Sequence, residues 1–306
     1  MSSTIQSILK NYQNENSGVK TNLYRLLNHG VLSGSGRLLI LPVDQGFEHG
    51  PDRSFIAQPG AYDPFYHYRL AIEAGFSGFA APLGLLEAGV DTFCGQVPLI
   101  LKLNHNNSLT PQNTPPNQAL IGTIKDALRL GCVGVGLTIY PGSSAFNSML
   151  ERARCIIKEA KSYGLFTIIW SYPRGEDLNT ADETAIDVVS YGAHIAALIG
   201  AHIIKVKMPT DHVRCTTLAS QYREEKIDLS NASLRVAHVV RSCFCAKRLV
   251  LFSGGEKKEY NDVLDDAHSI LTGGGSGSII ARNCFKRPWE EALNLVGDLV
   301  KIYKSI

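Results

Sequence analysis

The stretch ADETAIDVVSYGAHIAALIGAHIIKVKMP, residues 181 to 209, joins two elements of different period. Its first twenty residues carry apolar side chains at helical spacing. The last nine, AHIIKVKMP (201 to 209), read as a short buried strand interrupted by Lys205 and Lys207. Strand side chains alternate faces, so the two lysines point one way and Ile204 and Val206 the other. A helix leading into a short, mostly apolar strand is the building unit of a parallel sheet covered by helices.

The same unit repeats along the chain. Runs rich in Val, Ile and Leu occur at RLLILPVD (37 to 44), FSGFAAP (76 to 82), PLILKLN (98 to 104), CVGVGLTIY (132 to 140), FTIIWSYP (166 to 173), AHIIKVKMP, RLVLFSGG (248 to 255) and GSIIARN (277 to 283). Helix-like segments separate them: PFYHYRLAIEAG, residues 116 to 130, FNSMLERARCIIKEAKSYG, the 181 to 200 segment and NDVLDDAHSILTGG, with PWEEALNLVGDLVKIYKSI after the last strand. Eight repeats predict an α/β fold of the closed (β/α)8 TIM-barrel type in a single domain, residues 37 to 306. Residues 1 to 36 are an N-terminal extension whose TNLYRLLNHG is expected as a short helix across the barrel bottom. A polar insertion at about 211 to 247 interrupts the repeat before the seventh strand.

Composition narrows the function classes. The 306 residues are 44% hydrophobic and 19% charged, and 30 basic against 28 acidic side chains leave a net charge of +2. Bulk charge therefore gives no case for nucleic acid or an anionic membrane as partner. No run approaches the ~18 apolar residues of a membrane span, and MSSTIQSILKNYQNENSGVK has no apolar signal core, so a cytoplasmic location is expected. Seven scattered cysteines in apolar runs such as LGCVGVG and RARCIIKEA predict buried free thiols rather than a disulfide frame. CFC (243 to 245) is read as structural.

Catalytic groups of such barrels sit at the C-terminal ends of the strands. Inward-facing polar residues collect there: Asp44 after strand one, Lys102 and Asn104 at strand three, Trp170 and Tyr172 at strand five, Lys205 and Lys207 at strand six, Ser253 at strand seven. Singly, each has a structural reading: Asp44 could cap a turn, the two rings could fill the barrel, and the lysines could reach solvent. Together, charges from several strands at one mouth need mutual compensation. A lysine buried beside a second cation loses its proton more readily, and a neutral amine can attack a carbonyl. The resulting iminium is an electron sink that lets a neighbouring carbon–carbon bond break without a metal. Asp44 could then stabilise cationic intermediates and Tyr172 move the proton.

FSGGEKK (252 to 258) and GSIIARN lie after strands seven and eight, where barrels often hold phosphate. Gly254 and Gly255 would expose backbone N–H groups, and Arg282 adds a guanidinium. Metal chemistry is poorly supported: nine histidines show no HExxH or paired spacing, although His49 beside Glu48 could join a split site. No cofactor is expected.

PVDQGFEHGP (42 to 51), LILKLN, WSYPRG (170 to 175), HIIKVKMP, SGG (253 to 255) and ARN (281 to 283) resemble, in order, the class I fructose-1,6-bisphosphate aldolases of archaeal type, also called the DhnA family. The resemblance implies metal-free, reversible Schiff-base cleavage of fructose 1,6-bisphosphate into dihydroxyacetone phosphate and glyceraldehyde 3-phosphate. It implies Lys205 as the Schiff-base lysine, with Lys207 as the rival, Tyr172 as general acid/base, Asp44 as catalytic carboxylate and Trp170 as a wall of the site. Arg174, Ser253, Gly254, Gly255 and Arg282 resemble phosphate contacts, and Lys102 and His49 join the substrate-binding candidates.

The chain departs from the family at three places. Ala281 stands where the family has Gly, with a methyl that could crowd a phosphate. Gln45 replaces a histidine, and His202, on the outward face, replaces an acid. A related Schiff-base enzyme acting on another phosphorylated sugar, of the amino-deoxy-heptulosonate synthase type, is the nearest alternative, and a non-catalytic sugar-phosphate-binding descendant is a second. A homo-oligomer is expected from the resemblance.

Overall fold

The computed structural model describes residues 2–111, 113–254 and 258–305. Eight parallel strands close into a barrel: β1 (Leu38–Pro42), β2 (Gly78–Ala81), β3 (Leu99–Lys102), β4 (Gly134–Ile139), β5 (Phe166–Ser171), β6 (Ile203–Lys207), β7 (Leu249–Ser253) and β8 (Gly277–Ile279). Each lies inside one of the eight apolar runs. They pair in chain order, and β8 closes on β1 with Leu39 opposite Ser278.

Side-chain alternation divides the apolar residues into two cores. Ile40, Ile100, Phe166, Ile168, Trp170, Ile203 and Leu251 fill the barrel interior, whereas Leu39, Leu41, Ile169, Ile204, Val206 and Val250 pack outward under the helices. Large rings inside a narrow barrel need small neighbours. β4 supplies them, because a Cβ on Gly136 would stand 2.2 Å from the Trp170 indole.

The N-terminal segment forms two helices, Ser3–Lys10 and Ser17–Leu27, where one was expected. Ile5, Tyr12, Val19, Leu23 and Leu26 join the interior core and close the end of the barrel where the strands begin. The Tyr12 hydroxyl donates to the His202 carbonyl at 2.6 Å and accepts the Leu249 N–H at 3.3 Å, tying the starts of β6 and β7 together. His202 is therefore buried against this plug rather than against the outer helices. Its Nδ1 accepts the Thr167 N–H at 2.9 Å, which leaves the proton on Nε2, 3.4 Å from Glu15 Oε1. Lys161 Nζ reaches the same carboxylate at 2.5 Å.

Three expectations change. Residues 116 to 130 are not one helix. Ala119–Leu120 pairs antiparallel with Asn104–His105, and the helix runs only over Ile124–Arg129. Pro116 and Gly122 disfavour an earlier start, and Thr123 with Asp126 forms a reciprocal capping box that sets this one. The insertion holds two helices, Thr216–Glu224 and Ala232–Ser242, and its entry is pinned by the Asp187 carboxylate, which accepts the Arg214 and Cys215 N–H groups at 3.0 and 2.9 Å. All seven cysteines are free, but Cys94, Cys155, Cys215 and Cys245 are exposed. For Cys155 the reason is helical phase: Ala153 and Ile157 take the buried side of Phe146–Ser162. Among the described residues no helix is long and apolar enough to cross a membrane.

Candidate active site

The strand ends open into a cleft of about 620 Å³, open solvent at its mouth included. Asp44, His49, Tyr172, Arg174, Lys205, Lys207, Ser253, Gly254, Ala281 and Arg282 line it, as does Glu48, which parity along the strands does not single out. Trp170 and Lys102 lie beneath, inside the barrel, each 1% exposed. Gly255 falls outside the described residues.

The three lysines have different surroundings. Lys205 is 5% exposed, faces the cleft, and carries Nζ 5.5 Å from the centre of the Trp170 ring and 5.1 Å from that of Tyr172. Burial drives its pKa down to about 8; Asp44 and Glu48 oppose the shift and Arg282 adds to it. Lys102 is also brought to about 8 by burial, but its Nζ donates to the Asn104 carbonyl at 2.5 Å under the indole. Lys207 sits at the rim and pairs with Glu183 Oε2 at 2.7 Å. The second cation expected to crowd Lys205 is thus not Lys207. Desolvation acts first, and the cation that adds to it is Arg282.

Two carboxyls face these amines. Residues 45 to 49 form a helical turn after β1, which puts Glu48 one turn from Asp44 on the same side. Asp44 begins that turn through its carbonyl, which accepts the Phe47 and Glu48 N–H groups. Its side chain makes no capping bond and is left for the cleft. Burial would raise Asp44, but Lys102, Lys205 and His105 outweigh it and hold the carboxyl below its usual range. Glu48 moves the opposite way, raised by burial and by the charge on Asp44. Two neighbouring carboxyls with divergent acidities form an acid/base pair in chemical terms. His49, 3.7 Å from Glu48, is lowered to about 4 by burial and nearby arginines. Gln45, also in the cleft wall, has a buried amide oxygen with no hydrogen-bond partner among the described residues.

The phenol of Tyr172 is raised by burial, against a hydrogen bond with Ser253, so it stays protonated over the physiological range. Arg174 stacks on Tyr140 at 5.1 Å, and its backbone N–H donates to Pro141 at 3.0 Å. The next residue must be glycine for that approach, since a Cβ on Gly175 would stand 1.9 Å from the Gly142 carbonyl oxygen. At the β7 and β8 ends, Asn283 Oδ1 accepts the Lys258 N–H at 2.6 Å and Arg287 donates to the Lys258 carbonyl at 2.8 Å, locking the two loops together. Ala281, where the family pattern has glycine, has φ −107° and ψ −91°, so its φ lies outside the left-handed range that glycine alone takes readily.

A barrel with a desolvated, cleft-facing lysine among aromatic rings and paired carboxyls has the parts of a carbonyl-attacking enzyme. The sequence pattern of the DeoC/LacD family aldolases matches residues 38–287. The chain belongs to this aldolase family. It is 34% identical over 301 residues to the probable fructose-bisphosphate aldolase class 1 of Chlamydia muridarum, covering 94% of this chain and 85% of that one. With the fructose-bisphosphate aldolase class 1 of Thermoproteus tenax it shares 34% over 273 residues, 89% of this chain and 91% of the other. A solved archaeal fructose-1,6-bisphosphate aldolase, with its catalytic Lys covalently bound to the carbinolamine intermediate of the substrate, superposes with a TM-score of 0.74 at 32% identity, covering 91% of this aldolase and 97% of that chain.

Proposed function

We propose that this aldolase cleaves fructose 1,6-bisphosphate reversibly through a Schiff base on Lys205. The observation that carries the reading is the contrast among the three lysines: Lys205 faces the cleft with a pKa pulled down to about 8, whereas Lys102 lies beneath it and Lys207 is paired with Glu183 at the rim. At pH 7 about a tenth of such an amine is neutral, against about one part in three thousand for an ordinary lysine. The neutral amine adds to the ketone carbon, and loss of water gives the iminium. That cation accepts the electron pair of the C3–C4 bond as the C4 hydroxyl loses its proton and the aldehyde departs. The enamine is then protonated at C3, and water releases dihydroxyacetone phosphate and the amine.

Asp44, ionised and beside Lys205, is assigned the stabilisation of the cationic intermediates. Tyr172, a protonated phenol against the same amine, is assigned the proton transfers. Ser253, Gly254 and Arg282 are assigned one phosphate of the substrate and Arg174 the other; Trp170 and Lys102 hold Lys205 from below. Gly255, Ala281 and His49 complete the proposed binding set. The same reading places the enzyme in the cytoplasm as a homo-oligomer.

The test is borohydride reduction with dihydroxyacetone phosphate followed by peptide mapping. The expected result is an adduct on Lys205, abolished in Lys205→Met and retained in Lys207→Met. An adduct on Lys207, or activity lost to EDTA, would overturn the assignment.

A further inference from the structure

Glu183 is absent from the residues that the sequence pattern brings to the mouth, and the reaction as written gives it no part. It lies on the short 3-10 turn Asp182–Thr184 after β5, and its carboxylate holds Lys207 at 2.7 Å. It also contributes to the field at Arg174, beside Glu48. The carboxylate therefore neutralises one cation of the cleft wall, Lys207. The backbone under it is fixed independently. Asp182 bonds His212 at 3.0 Å, lies 3.6 Å from Arg214 and accepts the Asn179 N–H at 3.2 Å, and the Thr184 carbonyl accepts the Thr210 N–H at 2.8 Å. The Glu183 side chain is 22% exposed, so it can swing while the turn stays in place.

We propose that Glu183 is a resident counter-ion of Lys207 at the cleft rim, and that the second phosphate of a bisphosphate enters by exchanging with it on Lys207. This rests on the aldolase reading above and adds a resident competitor that weakens binding of a doubly phosphorylated sugar and leaves a singly phosphorylated one untouched. A phosphate dianion offers more charge and more acceptor oxygens to a lysine than one carboxylate does, so exchange favours the bisphosphate. A sugar with a neutral hydroxyl at that end has nothing to offer in return and leaves the ion pair closed. The pair also keeps Lys207 from attracting stray anions. Glu183 accordingly sets the affinity for the second phosphate, acting through Lys207 rather than on the reacting carbons.

The experiment is calorimetric titration of fructose 1,6-bisphosphate and of fructose 1-phosphate into Lys205→Met, which cannot turn over, and into the same protein carrying Glu183→Gln. Losing the competing charge of a part-exposed ion pair is expected to tighten bisphosphate binding about three- to fivefold and leave the monophosphate unchanged. A purely structural Glu183 that props Lys207 toward the cleft gives the opposite sign, with bisphosphate binding weakened. Equal change for both sugars, no change for either, or no bisphosphate binding at all would each overturn the inference. Borohydride trapping on Lys205 is read separately, so loss of the adduct counts against the aldolase chemistry and not against Glu183.

Discussion

Charge is buried at both ends of this barrel, but under opposite conditions. At the bottom, Glu15 takes Lys161 at 2.5 Å and faces His202 Nε2 at 3.4 Å, with Tyr12 packed alongside. At the mouth, Asp44, Glu48 and Lys205 line the cleft. Both groups contain strongly shifted side chains: Glu15 is brought down to about 2 by His202 and Lys161 against its burial, and Lys205 down to about 8 by burial itself. A displaced acidity therefore does not mark the active site. What marks it is a displaced group that faces space a ligand can fill, whereas at the bottom the partners are already supplied by the chain.

Replacing Asp44 tests the mouth most severely. Asp44→Asn is expected to lower turnover about a hundred- to a thousandfold. Asp44 is the largest influence raising the Lys205 pKa, so its loss moves that pKa below about 8. Adduct formation needs the neutral amine and rises as pH passes the lysine's pKa, so in the variant the rising limb shifts to lower pH. The pH dependence of borohydride trapping measures it, and an unmoved limb would mean that the charges at the mouth are not coupled.

At the bottom the expected effect is on stability alone. Glu15→Gln should cost about 1–3 kcal/mol in denaturant unfolding, with kcat/KM unchanged. The folded carboxyl titrates near 2 instead of 4.5, so its contribution is complete above pH 4.5 and is lost as pH falls toward 2. The gap between wild type and variant should narrow over that window. A variant that loses activity without losing stability would erase the distinction between the two ends. Smallest of all is Ala281→Gly: φ there is not left-handed and the change removes a single methyl, so the KM for fructose 1,6-bisphosphate should change by less than about twofold.

The barrel was legible because its signal is repetitive. Eight apolar runs set the strands, and parity alone put Asp44, Trp170, Tyr172, Lys205, Lys207 and Ser253 on the inward side. Elements defined by tertiary contacts were not legible: the pairing of Ala119–Leu120 with Asn104–His105 joins residues whose local sequence favours neither state. Within the site, Glu48 escaped because five residues after β1 turn helical, so the strand period no longer applies; an i, i+4 reading from Asp44 would have found it. Glu183 left no sequence signal, since its distance to Lys207 depends on how the loops after β5 and β6 fold against each other. The division of labour between Lys102, Lys205 and Lys207 likewise depends on depth in the barrel and on partners, which parity does not encode.

The clasp made by Tyr12 also bears on how the chain reaches this state. Its hydroxyl bridges groups 190 and 237 residues away in sequence. During synthesis the N-terminal helices must therefore wait, with Ile5, Val19 and Leu23 uncovered, until both β6 and β7 have been made. Contacts of such long range slow folding and prolong the exposure of apolar surface. The plug that closes the barrel is thus among the last pieces to find its place, and the segment most in need of shelter while the rest is built.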